Sequence, residues 1–247
     1  MRFILIGSRR LKKELVGDEK MMKRFYKILT SMAVIFMLTN PVEAAEISLP
    51  TPNISQSKML TEMLNERHSS RDLYGNLTQQ QLSKILWAAN GITNRMTVGG
   101  TVQGHVNPAA MGIYAVDVYA VTNEGIYLYN PEKHSLELVR KGDYRATTTL
   151  GQDFVKTAPL TLVYVEKISK WNDSPANMSR DSQLACAYIA AGSMSQSVSL
   201  MANAEDLGAC VRGSIDDAAF TKAAKLSTKQ KILLAQTIGE SNDVPKG

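Results

Sequence analysis

The chain has 247 residues, of which 44% are hydrophobic, and 28 lysines and arginines against 23 aspartates and glutamates. Nine of those basic side chains and four of the acidic ones lie in residues 1–44, so the other 203 residues carry 19 of each and are formally neutral. This balance argues against a nucleic-acid-binding protein, and 203 residues suffice for one domain with a hydrophobic core.

Residues 1–44 have the pattern of a leader with a signal peptide. Three basic residues, Lys23, Arg24 and Lys27, precede an apolar run over residues 28–38, and small residues lead up to Ala44. We predict cleavage after Ala44 and export to the periplasm or medium. The run is too short for a stable membrane anchor. Residues 1–20 are charged and do not fit a signal peptide, so Met1, Met21 and Met22 are all candidate start sites.

After the leader, residues 45–56 contain two prolines and predict an extended arm, and residues 57–247 form the predicted single domain. A helix is expected over residues 57–66, because apolar side chains recur with helical spacing. The sequence Arg67-His68-Ser69-Ser70-Arg71 follows directly. Arginine guanidinium groups and serine hydroxyl groups donate hydrogen bonds that match the oxygens of a phosphate. We therefore interpret the pentapeptide as an anion-binding cluster, with a solvated turn as the alternative.

A second helix is predicted from Thr78 to Asn90, because Thr78 and Gln81 form a capping box and Gly91 follows the apolar stripe. Residues 95–108 are rich in glycine and show no periodicity, so they are predicted to form a loop. Tyr114, at the start of the next apolar run, is expected in the core.

The remaining elements alternate between strands and helices, which favours an α+β fold. The longest helix is lined with small residues and could be either a central core helix or a subunit interface. The predicted strands are 113–122, 125–129, 135–139, 159–165, 209–215 and 232–238. The predicted helical segments are 143–156, with a break at Gly151, 179–205 and 216–225.

The only cysteines are Cys186, in an apolar helical run, and Cys210, which begins a predicted strand. Neither has a second ligand at metal spacing, so no metal site is expected. Whether the two thiols pair is open, although their apolar surroundings favour two buried free thiols.

Four separated stretches resemble the FMN-dependent nitroreductase family, in particular its compact branch of SagB-type dehydrogenases. Residues 67–71 match the family's R-x-S-x-R, and residues 108–114 lie where the family has P-S-A-G-x-x-Y-P. Residues 125–143 resemble the paired strands of that branch, and residues 192–213 resemble its helix and the strand after it. Gly239 stands in the place of the glycine in the family's last strand.

This resemblance implies an antiparallel central sheet flanked by helices, in an interlocked homodimer with FMN at the interface and the small-residue helix at its seam. Hydride would pass through flavin N5, with NADH or NADPH as donor. No side chain is assigned a catalytic role, and the backbone at Arg212 and Gly213 would face N5. The implied cofactor-binding residues are Arg67, His68, Ser69, Arg71, Pro108, Ala109, Ala110, Met111, Arg212, Gly213 and Lys246.

The chain departs from the family pattern at four of these motif positions. Ala109 replaces a serine, which removes a hydrogen bond worth about 0.5–1.5 kcal/mol. Met111, Ala115 and Ser197 replace a glycine, a proline and an asparagine. Two functions therefore stay open. The first is an exported FMN-dependent oxidoreductase acting on a small electrophile such as a nitroaromatic or quinone, and the second is a degenerate member that binds flavin or another planar ligand without turnover.

Overall fold

The computed structural model describes residue 23 and residues 45–55, 58–174 and 177–244. The chain divides into two compact units, Met1–Glu43 and Ala44–Gly247, and the description below concerns the second. The predicted leader, apart from Lys23, and the predicted ligand Lys246 lie outside the described residues.

A seven-stranded sheet forms the centre of this unit. Its strand order is β1-β6-β5-β4-β7-β9-β8, and all neighbouring strands pair antiparallel. The strands are β1 (Glu46–Ser48), β4 (Val116–Val121), β5 (Gly125–Asn130), β6 (Ser135–Lys141), β7 (Leu160–Glu166), β8 (Gly208–Arg212) and β9 (Ile232–Gly239). The predicted antiparallel α+β sheet is therefore confirmed.

Helices cover both faces of the sheet. The α-helices are α1 (Leu60–Glu66), α2 (Gln79–Asn90), α3 (Phe154–Thr157), α4 (Arg180–Ala204) and α5 (Asp217–Ala223). Helices α2 and α4 pack on one face, where Leu86, Met194 and Leu162 share a buried cluster. Helix α5 covers the other face, where Phe220 contacts Tyr119 edge to face. Every residue of β7 is buried, as its unbroken apolar run predicts.

Helix α4 presents two different faces. Its buried face consists mainly of small residues that pack against α2 and the sheet, including Ala187, Ala190 and Ala191. On the opposite side Tyr188 and Ile189 are exposed, with 73% of the Ile189 surface accessible. The helix is thus a core helix with an open apolar face.

Part of the predicted extended arm is paired with the domain, because β1 lies beside β6 as an edge strand of the sheet. The Ser135 hydroxyl donates to a Glu46 carboxylate oxygen at 2.6 Å, and Leu49 N–H donates to the His134 carbonyl at 3.1 Å. Pro50 and Pro52 follow and have no N–H to donate, so the pairing stops there.

The predicted loop over residues 95–108 is also wrong. It is largely a β-hairpin of β2 (Ile92–Thr97) and β3 (Gly100–His105), which pair from Ile92 opposite His105 to Thr97 opposite Gly100. Gly100 adopts a φ of 113°, which glycine accommodates without steric cost. The glycines therefore mark a hairpin turn rather than an irregular loop.

Most other boundaries agree with the sequence analysis to within a few residues. The segment 143–156 has the predicted break at Gly151, which adopts a φ of 77°, but the helical parts on either side are only a 3-10 turn (Arg145–Thr148) and the short α3. Both cysteines are free thiols; Cys210 is buried and Cys186 is half-buried.

The capping box of α2 is confirmed and supports a stability prediction. Gln81 N–H donates to Thr78 Oγ1 at 3.1 Å, and Thr78 N–H donates to Gln81 Oε1 at 3.0 Å. We expect Thr78→Ala to lower the free energy of unfolding by about 1 kcal/mol, measured by urea denaturation. Thr51→Ala changes an exposed threonine outside any helix and should shift it by less than about 0.5 kcal/mol. Equal effects of the two substitutions would contradict this account of the cap.

Candidate functional site

The predicted anion-binding cluster lies along the outer strand of the sheet. The chain leaves α1 at Arg67 and runs beside β8, where Ser70 N–H donates to the Ala209 carbonyl at 3.1 Å. Further on, Tyr74 exchanges two backbone hydrogen bonds with Glu240, which follows β9. These bonds fix the cluster against the edge of the sheet.

This close approach depends on Gly208, the first residue of β8. A Cβ atom added there would lie 2.7 Å from Ser241 Cβ and 2.8 Å from both Leu73 Cδ2 and Ser70 Cβ. Non-bonded carbon atoms in folded proteins do not pack that closely, so only glycine lets the segment after Arg67 lie against the strand.

The cluster forms one wall of a narrow cleft. Its other walls come from the end of α4 and the start of β8, and its lining includes Arg67, His68, Ser70, Ser199, Asn203 and Gly208. The enclosed volume is only about 10 Å³, which is at most one water molecule. A larger anion must therefore bind outside the enclosed space, at the mouth of the cleft near Arg67, which is half-buried. The neighbouring Ser69 and Arg71 are exposed to solvent and are not part of the cleft lining.

Asn203 is the residue in this cleft that the sequence analysis missed. Its side chain is only 4% exposed, and its Oδ1 has no hydrogen-bond partner among the described residues. A buried amide oxygen without a partner is costly, and a hydroxyl group supplied by a ligand would satisfy it. The sequence feature that could have identified Asn203 is its position as an asparagine on a face of α4 that otherwise consists of apolar and small residues.

His68 has polar partners on both ring nitrogens. Nδ1 lies 2.8 Å from the Glu66 carbonyl, which can only accept, so Nδ1 donates to it. Nε2 lies 3.3 Å from the Ser70 hydroxyl and 3.6 Å from the Asp243 carboxylate. The ring therefore orders the segment around Ser70.

The second predicted contact segment, Pro108 to Met111, lies elsewhere in the chain and does not line this cleft. Asn107 holds it in place: its buried amide donates to the Ala88 and Ala89 carbonyls at 2.7 and 2.8 Å, and its Oδ1 accepts from Ser197 Oγ at 2.6 Å. The bonds fasten the segment to the ends of α2 and to α4. Pro108 and Met111 remain exposed, while Ala109 and Ala110 are half-buried.

Arg212 and Gly213, the predicted neighbours of flavin N5, end β8 with different surroundings. The Arg212 side chain is buried, whereas Gly213 is exposed. A Cβ atom added at Gly213 would meet no other atom within 4 Å. Open space therefore adjoins the Gly213 backbone, as a flavin contact at this position requires.

A separate cavity of about 440 Å³ lies near the start of β4 and contains charged side chains. Lys167 donates to the Asp117 carboxylate at 3.1 Å, and Asn130 donates to Glu137 at 2.9 Å. Burial raises the pKa of Asp117, which the neighbouring Lys167 opposes. These groups satisfy one another, so the cavity is the weaker candidate for a functional site.

Two aromatic residues at that cavity differ from expectation. Tyr114, predicted in the core, is half-buried and stacks on the His105 ring with 3.8 Å between ring centroids. His105 lies at the end of β3, with Nδ1 2.8 Å from Asn90 Oδ1, and burial lowers its pKa. The pair anchors the hairpin to α2.

Within the described residues, no group of three or more histidine, cysteine, aspartate or glutamate side chains is arranged to bind a metal ion. In the same part of the chain, no helix is both long and apolar enough to cross a membrane.

The residues at the cleft fit the FMN that the sequence resemblance implies. Arg67, Ser69 and Arg71 provide cationic and hydroxyl donors for a phosphate at its mouth. Asn203 offers a buried acceptor without a partner for a ribityl hydroxyl, and the open space at Gly213 leaves room for a ring system. One chain alone leaves such a ligand uncovered, because the enclosed volume is so small.

Comparisons with known proteins agree with the motifs and the fold. The family model of the Nitroreductase family matches residues 64–240. A Methanocaldococcus jannaschii protein described as a putative nitroreductase is 29% identical over 204 residues, covering 80% of this chain and 97% of its own length.

Solved structures of similar fold extend this comparison. A Ralstonia eutropha protein described as a putative nitroreductase superposes with a TM-score of 0.70 and 34% identity, over 81% of this chain and 91% of its own. A similarly described Desulfovibrio desulfuricans protein, solved in complex with FMN, has a TM-score of 0.53 and 15% identity, over 78% and 92% of the two chains.

The packing at Gly208 gives a direct test of how the cleft is built. We expect Gly208→Ala to lower the free energy of unfolding by about 1–3 kcal/mol, because the added methyl group must displace Ser70, Leu73 or Ser241. Urea denaturation measures the change. The matched control is Gly99→Ala, at an exposed position where the nearest atom to an added Cβ is 4.0 Å away. If Gly208→Ala were as mild as the control, the close approach would be refuted.

Proposed function

Because this chain belongs to the nitroreductase family, we propose that it is an exported FMN-dependent oxidoreductase that passes hydride through flavin N5 to or from a small electrophile such as a nitroaromatic or quinone. The observation that carries the proposal is the cleft at the outer strand, where the Arg67 cluster and the unpartnered Asn203 face the same space.

Each residue of the cleft has a distinct part in binding. Arg67 and Arg71 supply forked cationic donors for the phosphate, and Ser69 adds a hydroxyl donor. His68 holds the Ser70 segment against β8, and Asn203 accepts from the ribityl chain. Bound FMN would supply the hydride chemistry, while these residues position it.

We further propose that the functional unit is a homodimer with FMN at its interface. The exposed apolar face of α4 around Tyr188 and Ile189 supports this proposal, because a partner chain would bury it. The separation of residues 108–111 from the Arg67 cleft supports it as well, since the partner's copy of that segment could cover the flavin. A covered flavin is shielded from water, which limits side reactions of the reduced flavin.

The alternative function is binding of flavin or another planar ligand without turnover. Two departures from the family pattern favour it: Ala109 offers no hydroxyl, and the hydroxyl of Ser197 is already engaged by Asn107. A binding protein needs the cleft but no access for a hydride donor.

Export is proposed from the signal-peptide pattern of residues 1–44. The test is the N-terminal sequence of the protein recovered from the periplasm or medium of a bacterial host. Export with cleavage after Ala44 gives a chain that begins at Ala45, whereas an intact N-terminus on protein confined to the cytoplasm contradicts it.

The first experiment on function uses the spectrum of the purified protein. We expect it to bind FMN with a flavin absorption spectrum, and NADH or NADPH added without oxygen to bleach that spectrum. Bound flavin that neither nucleotide reduces would favour the binding protein. A chain that cannot be reconstituted with FMN would contradict the oxidoreductase and would leave, of the alternative, only the binding of a planar ligand other than FMN.

The second experiment tests the phosphate cluster. We expect Arg67→Gln to weaken FMN binding by roughly tenfold to a hundredfold, the loss of a charge-assisted hydrogen bond of about 1.5–3 kcal/mol, measured by fluorescence titration. Arg95→Gln, on the exposed hairpin strand β2, is the control and should leave the affinity unchanged. An unchanged affinity of the Arg67 variant would place the phosphate elsewhere.

A further inference from the structure

Arg212 is a buried cation that the account so far leaves unused. Its side chain is 4% exposed at the end of β8. Nε donates to Thr237 Oγ1 at 3.1 Å, and Nη1 donates to the carbonyls of Thr148 and Ser214 at 2.9 and 3.3 Å. Nη1 also lies 3.4 Å from Gln152 Oε1. All of these partners are neutral.

The charge of this guanidinium is not neutralised within the described part of the chain. No carboxylate there lies within 4 Å of it, and its buried Nη2 has no hydrogen-bond partner. Burial lowers the pKa of Arg212 to about 10, so the group still carries its proton at neutral pH. A full positive charge is therefore held in a region of low dielectric constant.

Two other arginines of the protein that anchor structure are each paired with a carboxylate, unlike Arg212. Arg145 pairs with the Asp143 carboxylate, and Arg180 forms a two-pronged pair with the buried Glu166. Both also anchor structure, yet each has a counter-charge. A buried charge without a counter-charge is destabilising. The hydrogen bonds from Arg212 to carbonyl groups anchor the end of β8, but this anchoring role does not explain why the buried cation has no carboxylate partner.

The position of the charge gives it a chemical consequence. Arg212 precedes Gly213, whose open surroundings are where the proposed function places flavin N5. A hydride carries two electrons and one proton, so an acceptor that takes up a hydride and no further proton gains one negative charge. A fixed cation nearby stabilises that product relative to the oxidised acceptor.

We propose that Arg212 is an electrostatic positioning residue whose buried, unneutralised charge makes the protein bind reduced FMN more tightly, relative to oxidised FMN, than a neutral side chain would. The inference rests on the proposed function, since it requires FMN beside Gly213. It assigns Arg212 a role through its charge, not through contact with the substrate.

The test separates charge from geometry with three variants of the full chain loaded with FMN. Arg212→Met removes both the charge and the hydrogen bonds. Arg212→Lys keeps the positive charge but lacks the planar guanidinium group and its several N–H donors. Gln152→Glu keeps Arg212 and places a carboxylate where Gln152 Oε1 now approaches Nη1. The measurement is the midpoint potential of the bound FMN, with titrations of oxidised and of anaerobically reduced FMN giving the affinity ratio.

We expect both Arg212→Met and Gln152→Glu to lower the potential, with a loss of preference for reduced FMN on the order of tenfold. That is the effect of a unit charge about 10 Å away at an effective dielectric constant of about 20. Arg212→Lys should stay near the unmodified protein. Arg140→Met is the control, because Arg140 also donates to carbonyls but lies on β6, far from β8 in the strand order.

Two results would overturn the inference while leaving the proposed function intact: an unchanged potential in the charge-neutralised variants, or an equal fall in Arg212→Lys and Arg212→Met. Gln152→Glu keeps the test decisive if Arg212→Met does not fold. A failure of the unmodified protein to bind FMN is a different outcome and would overturn the proposed function together with the inference.

Discussion

The site depends on one steric constraint, the contact between the segment after α1 and the outer strand β8. Gly208 permits this contact, since any side chain there would collide with Ser70, Leu73 and Ser241. The contact gives an edge strand a covering segment and places Arg67 and His68 beside the end of α4. The cleft therefore results from the packing of the chain along the sheet edge.

Charge and hydrogen bonding are arranged differently at the two ends of β8. At its start, the half-buried Arg67 and the exposed Arg71 can reach an anion from solvent, and Asn203 keeps one acceptor unpaired. At its end, Arg212 is fixed by carbonyl and hydroxyl partners and keeps its charge. A ligand lying along this strand would have a phosphate at one end and a redox-active ring at the other.

The sequence predicted those elements of the fold well that are determined by residues close together in the chain. The capping box of α2 and the apolar run of β7 were correct because neighbouring residues decide them. The hairpin over residues 92–105 was missed because its exposed strands lack a buried face and so show no alternation. In the site, the Arg67 cluster followed from its motif, whereas Asn203 and the environment of Arg212 depend on long-range packing that no local pattern reveals.

The central claim is that the phosphate of a flavin rests at the mouth of the cleft beside Arg67, Ser69 and Arg71. The most direct measurement compares the affinities of the protein for FMN and for riboflavin, which differ only in that phosphate. The account predicts that FMN binds at least roughly tenfold more tightly, and that the difference shrinks in Arg67→Gln. Equal affinities for the two flavins in the unmodified protein would contradict it.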